Sequence, residues 1–232
     1  MKKTNYKYLN IKGAVLDNYQ LEQYMEKIAT SHDVELTSNI ATYPIPRLKD
    51  NYRFIEKTYD LLNKHIKMGI NLYPAGEWLL DNFYIIEETF KTVCKEMTIT
   101  KYKKLPGITT GMYKGFSRIY VVASEIVAYT DNKINDEILS MAISAYQRRK
   151  TLAMEEIWNL WIFLEIAIIE NIRNICEKIY SSQVQKYKVE SIIERLVEKK
   201  EANTQVFKPI KDEYKENVSY KEMKYPFIEY MS

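Results

Sequence analysis

Apolar residues recur every three to four positions along nearly the whole chain. That is the spacing of one helix face rather than the strict alternation of a strand. Leu21, Tyr24, Met25 and Ile28 form the first stripe, which predicts a helix from about Asp17 to Thr30. The segment Tyr43 to Arg47, YPIPR, breaks the pattern, and Pro46 suits the first turn of a second helix, where its missing N–H is not needed. This helix carries Leu48, Tyr52, Ile55, Tyr59, Leu62 and Ile66, and Gly69 is placed to end it. A third helix follows YPAG (Tyr73 to Gly76), striped by Leu79, Phe83, Ile86, Phe90, Val93 and Met97. Three of the six glycines fall in the loop Leu105 to Gly115. A fourth helix then uses Phe116, Tyr120, Ala123 and Val127, and a fifth, around Asp136 to Arg149, uses Ile138, Leu139, Ala142, Ala145 and Tyr146. The sixth begins after Thr151 and runs past Ile179. It is apolar on nearly all sides from Ile157 onward, as befits a helix surrounded by others. The expected class is all-α, a single bundle of about six to seven helices around that central apolar helix. Residues 1–16 read as an N-terminal tail and 17–197 as the helical domain. Residues 198–232 read as a charged linker leading into YPFIEYMS, the truncated start of a following segment.

Composition narrows the classes. The 34 basic and 31 acidic residues are interspersed, so the net charge of +3 builds no basic face and nucleic acid is not an expected partner. Both cysteines, Cys94 and Cys176, sit at apolar-periodic positions and read as buried, inert thiols of a reducing compartment. The basic start is not followed by the apolar run of a signal peptide. The longest apolar stretch, Ile157 to Ile169, contains Glu165 and falls short of the roughly 20 residues of a membrane span. A soluble, cytoplasmic segment without membrane insertion is expected.

The third helix concentrates acids in EWLLDNFYIIEE. Glu77, Asp81, Tyr84 and Glu88 share a face opposite the apolar stripe, the one arrangement here that could hold acid/base groups for a sugar. Acids in its first turns and lysines in its last also suit the helix dipole, which favours a solvated face. Only two histidines exist. His32, beside Asp33, reads as a helix-end residue, and His65 as one favoured near a helix C-terminus. No Glu-x-x-His pair, Cys/His cluster or phosphate-binding glycine motif is present, so neither metal nor cofactor is expected. Glu165 and Glu170 interrupt the apolar run of the sixth helix. A desolvated carboxylate requires a cation or hydrogen-bond donors, and Arg118, Arg148 and Arg173 are the expected partners.

Several stretches together resemble one family. AGEWLLDNFYIIEE, SRIYVVASEIVAYTD, the AYQ at Ala145 to Gln147, EEIWNLWIFLEIAIIENIRNI, SHDV and PRLKDNYRFIEKTYDLL are similar, in order and spacing, to the helical N-terminal region of the cyclic β-1,2-glucan synthases. The signature positions are Glu77, Trp78, Asp81, Asn82, Phe83, Glu87, Arg118, Tyr120, Asp131, Tyr146, Gln147, Trp158, Glu170 and Asn171. In that family the region precedes a membrane-embedded glycosyltransferase domain using UDP-glucose and a phosphorylase-like C-terminal domain. The family's nucleotide-sugar motif has no counterpart here. The resemblance therefore implies a bacterial, non-catalytic accessory module that scaffolds, docks or regulates those catalytic domains, in the same or a neighbouring chain. It also implies β-glucan as a further partner, and a place at the inner face of the membrane through the parent protein. Two other readings stand beside it: a free-standing glucan- or protein-binding helical module, and a carbohydrate-active enzyme using Glu77, Asp81 and Glu88.

Overall fold

The computed structural model describes residues 7, 9, 11, 13–36 and 40–202, and among them the fold is all-α. The helices are α1 (Asn18–Ser31), α2 (Ile45–Lys67), α3 (Pro74–Glu96), α4 (Ile99–Lys103), α5 (Arg118–Tyr129), α6 (Asp136–Gln147) and α7 (Met154–Ala202). A two-residue antiparallel ladder joins β1 (Val34–Glu35) to β2 (Gly107–Ile108), with Val34 opposite Ile108.

Local chemistry explains the helix ends. Asp17 and Gln20 close a capping box on α1: the Gln20 N–H donates to Asp17 Oδ1 (2.8 Å) and the Asp17 N–H to Gln20 Oε1 (3.1 Å). Asn135 caps α6 by accepting the Ile138 N–H, and Asp136 and Glu137 add negative charge to its first turn. After α2, Gly69 takes φ +75°, a left-handed conformation that glycine adopts without Cβ strain. The Ile70 N–H then reaches back to the His65 carbonyl (3.0 Å) and satisfies one of the helix's terminal acceptors.

Where the periodicity alone leads to one domain over 17–197, the contacts divide into two compact units. Among the described residues, one comprises those up to 54 with 84–173; the other comprises 55–83 with 174–202. In the first, α1 packs along α6. The core there takes Leu21, Met25, Ile119, Val121, Val122, Ile126, Tyr146 and Phe163 out of solvent. Two ring pairs are stacked, Tyr52 on Phe90 at 4.0 Å between centroids and Tyr120 on Phe163 at 5.4 Å. In the second unit Ile55, Leu62, Leu79, Cys176 and Ile179 are buried, Tyr59 stacks on Phe83, and the ammonium of Lys57 lies 4.7 Å from the Tyr180 ring.

Two sequence expectations change. The apolar N-terminal half of α7 is buried through Leu160, Ile162, Phe163, Leu164, Ile166, Ala167 and Ile169, but Trp158 is 64% exposed and Trp161 43%. Its neighbours cover one side, not the whole circumference. Cys176 is buried, whereas Cys94 is only partly so. His65, in the last turn of α2 as expected, is buried there, with its ring 5.5 Å from that of Tyr187, and burial lowers its pKa. Among the described residues no helix is long and apolar enough to cross a membrane.

Candidate functional site

The acids of α3 come first. Glu77, Asp81, Tyr84 and Glu88 are all exposed, as the wet side of an amphipathic helix should be. Glu87 is held by Lys91 one turn on (2.8 Å). Among the described residues no group of His, Cys, Asp or Glu side chains is arranged to hold a metal ion.

The polar chemistry of the first unit is buried instead. Arg118 opens α5 directly after Ser117, and both its side chain and that of Glu156 are withdrawn from water, 5% and 0% exposed. Arg118 Nε donates to Glu156 Oε1 at 2.9 Å, Nη2 donates to Oε2, and Nη2 also reaches the Thr151 carbonyl at 3.1 Å. Glu156 Oε2 accepts the Ala153 N–H as well (2.9 Å), so the same carboxylate neutralises the guanidinium and satisfies a donor at the start of α7. The Gln147 Oε1 accepts the Leu152 N–H in the same turn.

Next to this pair, at the C-terminal end of α1, lies His32, 2% exposed. Its Nδ1 is 2.9 Å from the Tyr146 hydroxyl, its ring meets the edge of Tyr113, and its Nε2 has no hydrogen-bond partner. Burial, with the positive charges of Arg118 and Lys150 added, holds its pKa down at about 4, so the imidazole is neutral. Lys150 donates to the His32 carbonyl (2.8 Å) and to Asp33 Oδ1 (3.0 Å). On α5, Glu125 is fully buried and accepts two phenolic protons, from Tyr24 (2.9 Å) and Tyr113 (2.6 Å). Burial raises its pKa against the pull of those two hydrogen bonds.

The expected partners of the α7 glutamates are engaged elsewhere. Glu170 is paired with Arg47, whose Nη2 lies at 2.8 Å and Nε at 3.3 Å, and it accepts a further bond from Asn51. Arg118 serves Glu156, Arg148 bridges Glu22 and Glu26 at an exposed site, and Arg173 lies over the Phe54 ring at 5.0 Å. Glu165 is in none of these pairs. One of its carboxylate oxygens is buried without a partner, and burial pushes its pKa up to about 7. The remaining signature positions are structural in their surroundings or exposed. Tyr120 is buried, and Phe83 stacks on Tyr59. Asn82 donates to the Trp78 carbonyl, and Asn171 to Asn132 Oδ1 at 2.8 Å. Asp131 takes φ +52° in the turn after α5, and Trp78 and Trp158 are exposed.

Sequence reasoning missed Glu156, Glu125, Arg47, Tyr24 and Tyr113. Glu125 carried a usable signal, because it is the one acid in the apolar run Ile119 to Tyr129, the same anomaly that singles out Glu165. The pairing of Arg47 with Glu170 spans 123 residues and leaves no local signal.

No protein-family model matches the chain. Over 151 residues, 65% of its length, it is 26% identical to the cyclic β-(1,2)-glucan synthase NdvB of Rhizobium meliloti (strain 1021). The match covers 5% of that relative, so the chain spans a small fraction of the length of the protein it resembles. The sequence similarity relates this helical chain to the cyclic β-(1,2)-glucan synthases.

Proposed function

We propose that the chain is a non-catalytic helical accessory module of a cyclic β-1,2-glucan synthase-like glycosyltransferase. Its task is to scaffold, dock or regulate the glycosyltransferase and phosphorylase-like domains, in the same or a neighbouring chain, on the cytoplasmic side of the membrane. One observation supports this reading above the others. The polar residues at positions that resemble the family's, Arg118 and Tyr146, which are buried, and Glu170, which is half-buried, each spend their polar atoms on bonds to other parts of the fold. The acids that could have served a sugar, Glu77, Asp81 and Glu88, are exposed on a helix surface. Glycosidic chemistry needs two carboxyl groups facing one another across a bound sugar.

The reading is tested by incubating the purified chain with UDP-glucose, and separately with β-1,2-glucan and phosphate, while following glucose transfer and sugar phosphate release. Neither product is expected. Turnover that Glu77→Gln or Glu88→Gln abolishes would replace the accessory role with an enzymatic one. The positive arm is binding of the chain to the separately purified glycosyltransferase portion of the relative, measured by calorimetry. Failure to bind that portion, together with catalytic turnover, would end the proposal.

A further inference from the structure

Trp158 and Trp161 stand out because the fold has little use for them where they are. Each buried large side chain contributes about 1.5–3 kcal/mol, yet these two indoles, the largest side chains of α7, are left 64% and 43% exposed while the smaller residues around them are buried. They are three positions apart on one helix, so they share a face and are offset by about 4.5 Å along the axis. Together with Leu105 and Ile162 they floor a surface groove of about 300 Å³ bordered by Glu96, Lys101, Lys104, Glu155 and Asn159.

The rim decides what the groove fits. It carries two cations and two anions, and Lys101 is already paired with Glu96 at 3.1 Å. Lys104 and Glu155 stand in no ion pair among the described residues. Asn159 spends one N–H on the Glu155 carbonyl (2.6 Å), which leaves its amide oxygen as an acceptor. A polyanion or polycation would meet charge of its own sign on this rim. An uncharged ligand rich in hydroxyls would find a donor, an acceptor and an amide instead. Size argues in the same direction. The groove lies at the small end of ligand sites, about 300–1,000 Å³. A stable protein interface buries about 1,200–2,000 Å², more than two indoles and a few aliphatic atoms present.

We propose that the Trp158–Trp161 groove at the start of α7 is a binding site for an uncharged oligosaccharide. The apolar C–H face of a pyranose ring would stack on the indoles, and its hydroxyls would be held by Lys104, Glu155 and Asn159. That the sugar is a β-linked glucan rests on the accessory-module reading; that it is a saccharide rests on the groove alone.

The test uses the full chain carrying Trp78→Phe, so that indole fluorescence reports only on the groove. It is titrated with β-1,2-linked gluco-oligosaccharide, with cellohexaose (β-1,4) and with maltohexaose (α-1,4). A saturable blue shift is expected with the β-1,2-linked chain. Trp158→Ala and Trp161→Ala should each weaken binding by roughly tenfold or more, as truncation of an aromatic anchor does, and Trp→Phe at either position should restore most of it. Because both indoles are exposed, the far-ultraviolet circular dichroism of every variant should be unchanged. Equal binding of all three sugars supports the site and removes only its tie to the glucan synthases. No spectral change with any sugar, or binding that survives both alanine variants, overturns the proposal. A shift that appears with protein concentration in the absence of sugar overturns it too, because it identifies a second copy of the chain as the occupant.

Discussion

Removing either partner of the Arg118–Glu156 pair should be among the most damaging single changes in the first unit. The two side chains are 5% and 0% exposed, so neither charge can be recovered by water when the other is lost. Breaking a buried pair from one side costs about 3–5 kcal/mol, against a total stability of about 5–15 kcal/mol for a native protein. At about 2–4 °C per kcal/mol for a chain of this size, Glu156→Gln should lower the melting temperature by roughly 6–20 °C. Replacing both charges, in Arg118→Met with Glu156→Leu, should cost less than the two single changes added together, because no uncompensated charge remains. Full recovery is not expected. The double variant still strands the Ala153 N–H and the Thr151 carbonyl that the pair now satisfies, at about 1–3 kcal/mol each. The control is Arg148→Ala, which removes contacts to Glu22 and Glu26 from a side chain 51% exposed, where solvent screening leaves little to lose. Thermal and urea unfolding followed by circular dichroism measures Glu156→Gln, the two single changes, the double variant and the control. If Glu156→Gln costs no more than Arg148→Ala, the desolvation argument for this pair is wrong.

Three further outcomes are expected. His32, neutral in the fold with a pKa of about 4 against its ordinary 6.5, contributes stability that is whole above pH 6.5 and is lost as pH falls toward 4. Its ring proton resonances should titrate near 4, and a midpoint near 6.5 would contradict the buried environment. Glu165 has the opposite sign: with its pKa at about 7 against 4.5, its contribution is whole below pH 4.5 and is lost as pH rises through 7. Glu165→Gln should therefore melt higher than the native chain at pH 8 and alike at pH 4.5, and equal melting at pH 8 would refute the desolvation. Finally, a thiol-reactive disulfide reagent should modify Cys94 slowly, since burial raises its thiol pKa, and should leave Cys176 untouched until denaturant is added. Simultaneous reaction of both cysteines would show that the core is not closed around Cys176.

The helices were legible because their causes are local. Stripes at helical spacing place α1 within a residue of where it is found and start α6 at Asp136, where it begins. The five residues of α4 are too few for a period to declare itself. The pairing of Val34 with Ile108 involves only two residues per strand, which no alternation can announce. The exposure of Trp158 and Trp161 was hidden for a different reason. Hydropathy records that a side chain prefers burial, not whether a neighbour arrives to provide it, and here two large apolar residues remain uncovered at the start of an otherwise buried run.

The carboxylates set in apolar helical runs show the same boundary more sharply. An acid in an apolar helical run implies desolvation, and on that point Glu125, Glu165 and Glu170 are alike in sequence. The fold resolves them in three ways. Glu170 receives a guanidinium and an amide from α2, Glu125 receives two tyrosine hydroxyls, and Glu165 receives no hydrogen bond at its buried oxygen, so the balance shifts toward protonation. Two of these resolutions draw on residues far away in the chain: Tyr24 is 101 positions from Glu125 and Arg47 is 123 from Glu170. Sequence therefore states the electrostatic problem and leaves its solution to tertiary packing. That is why Arg118, one of three cations offered to Glu165 and Glu170, serves a different glutamate. Its actual partner, Glu156, attracted no notice because an acid in the first turn of a helix is already explained by the dipole.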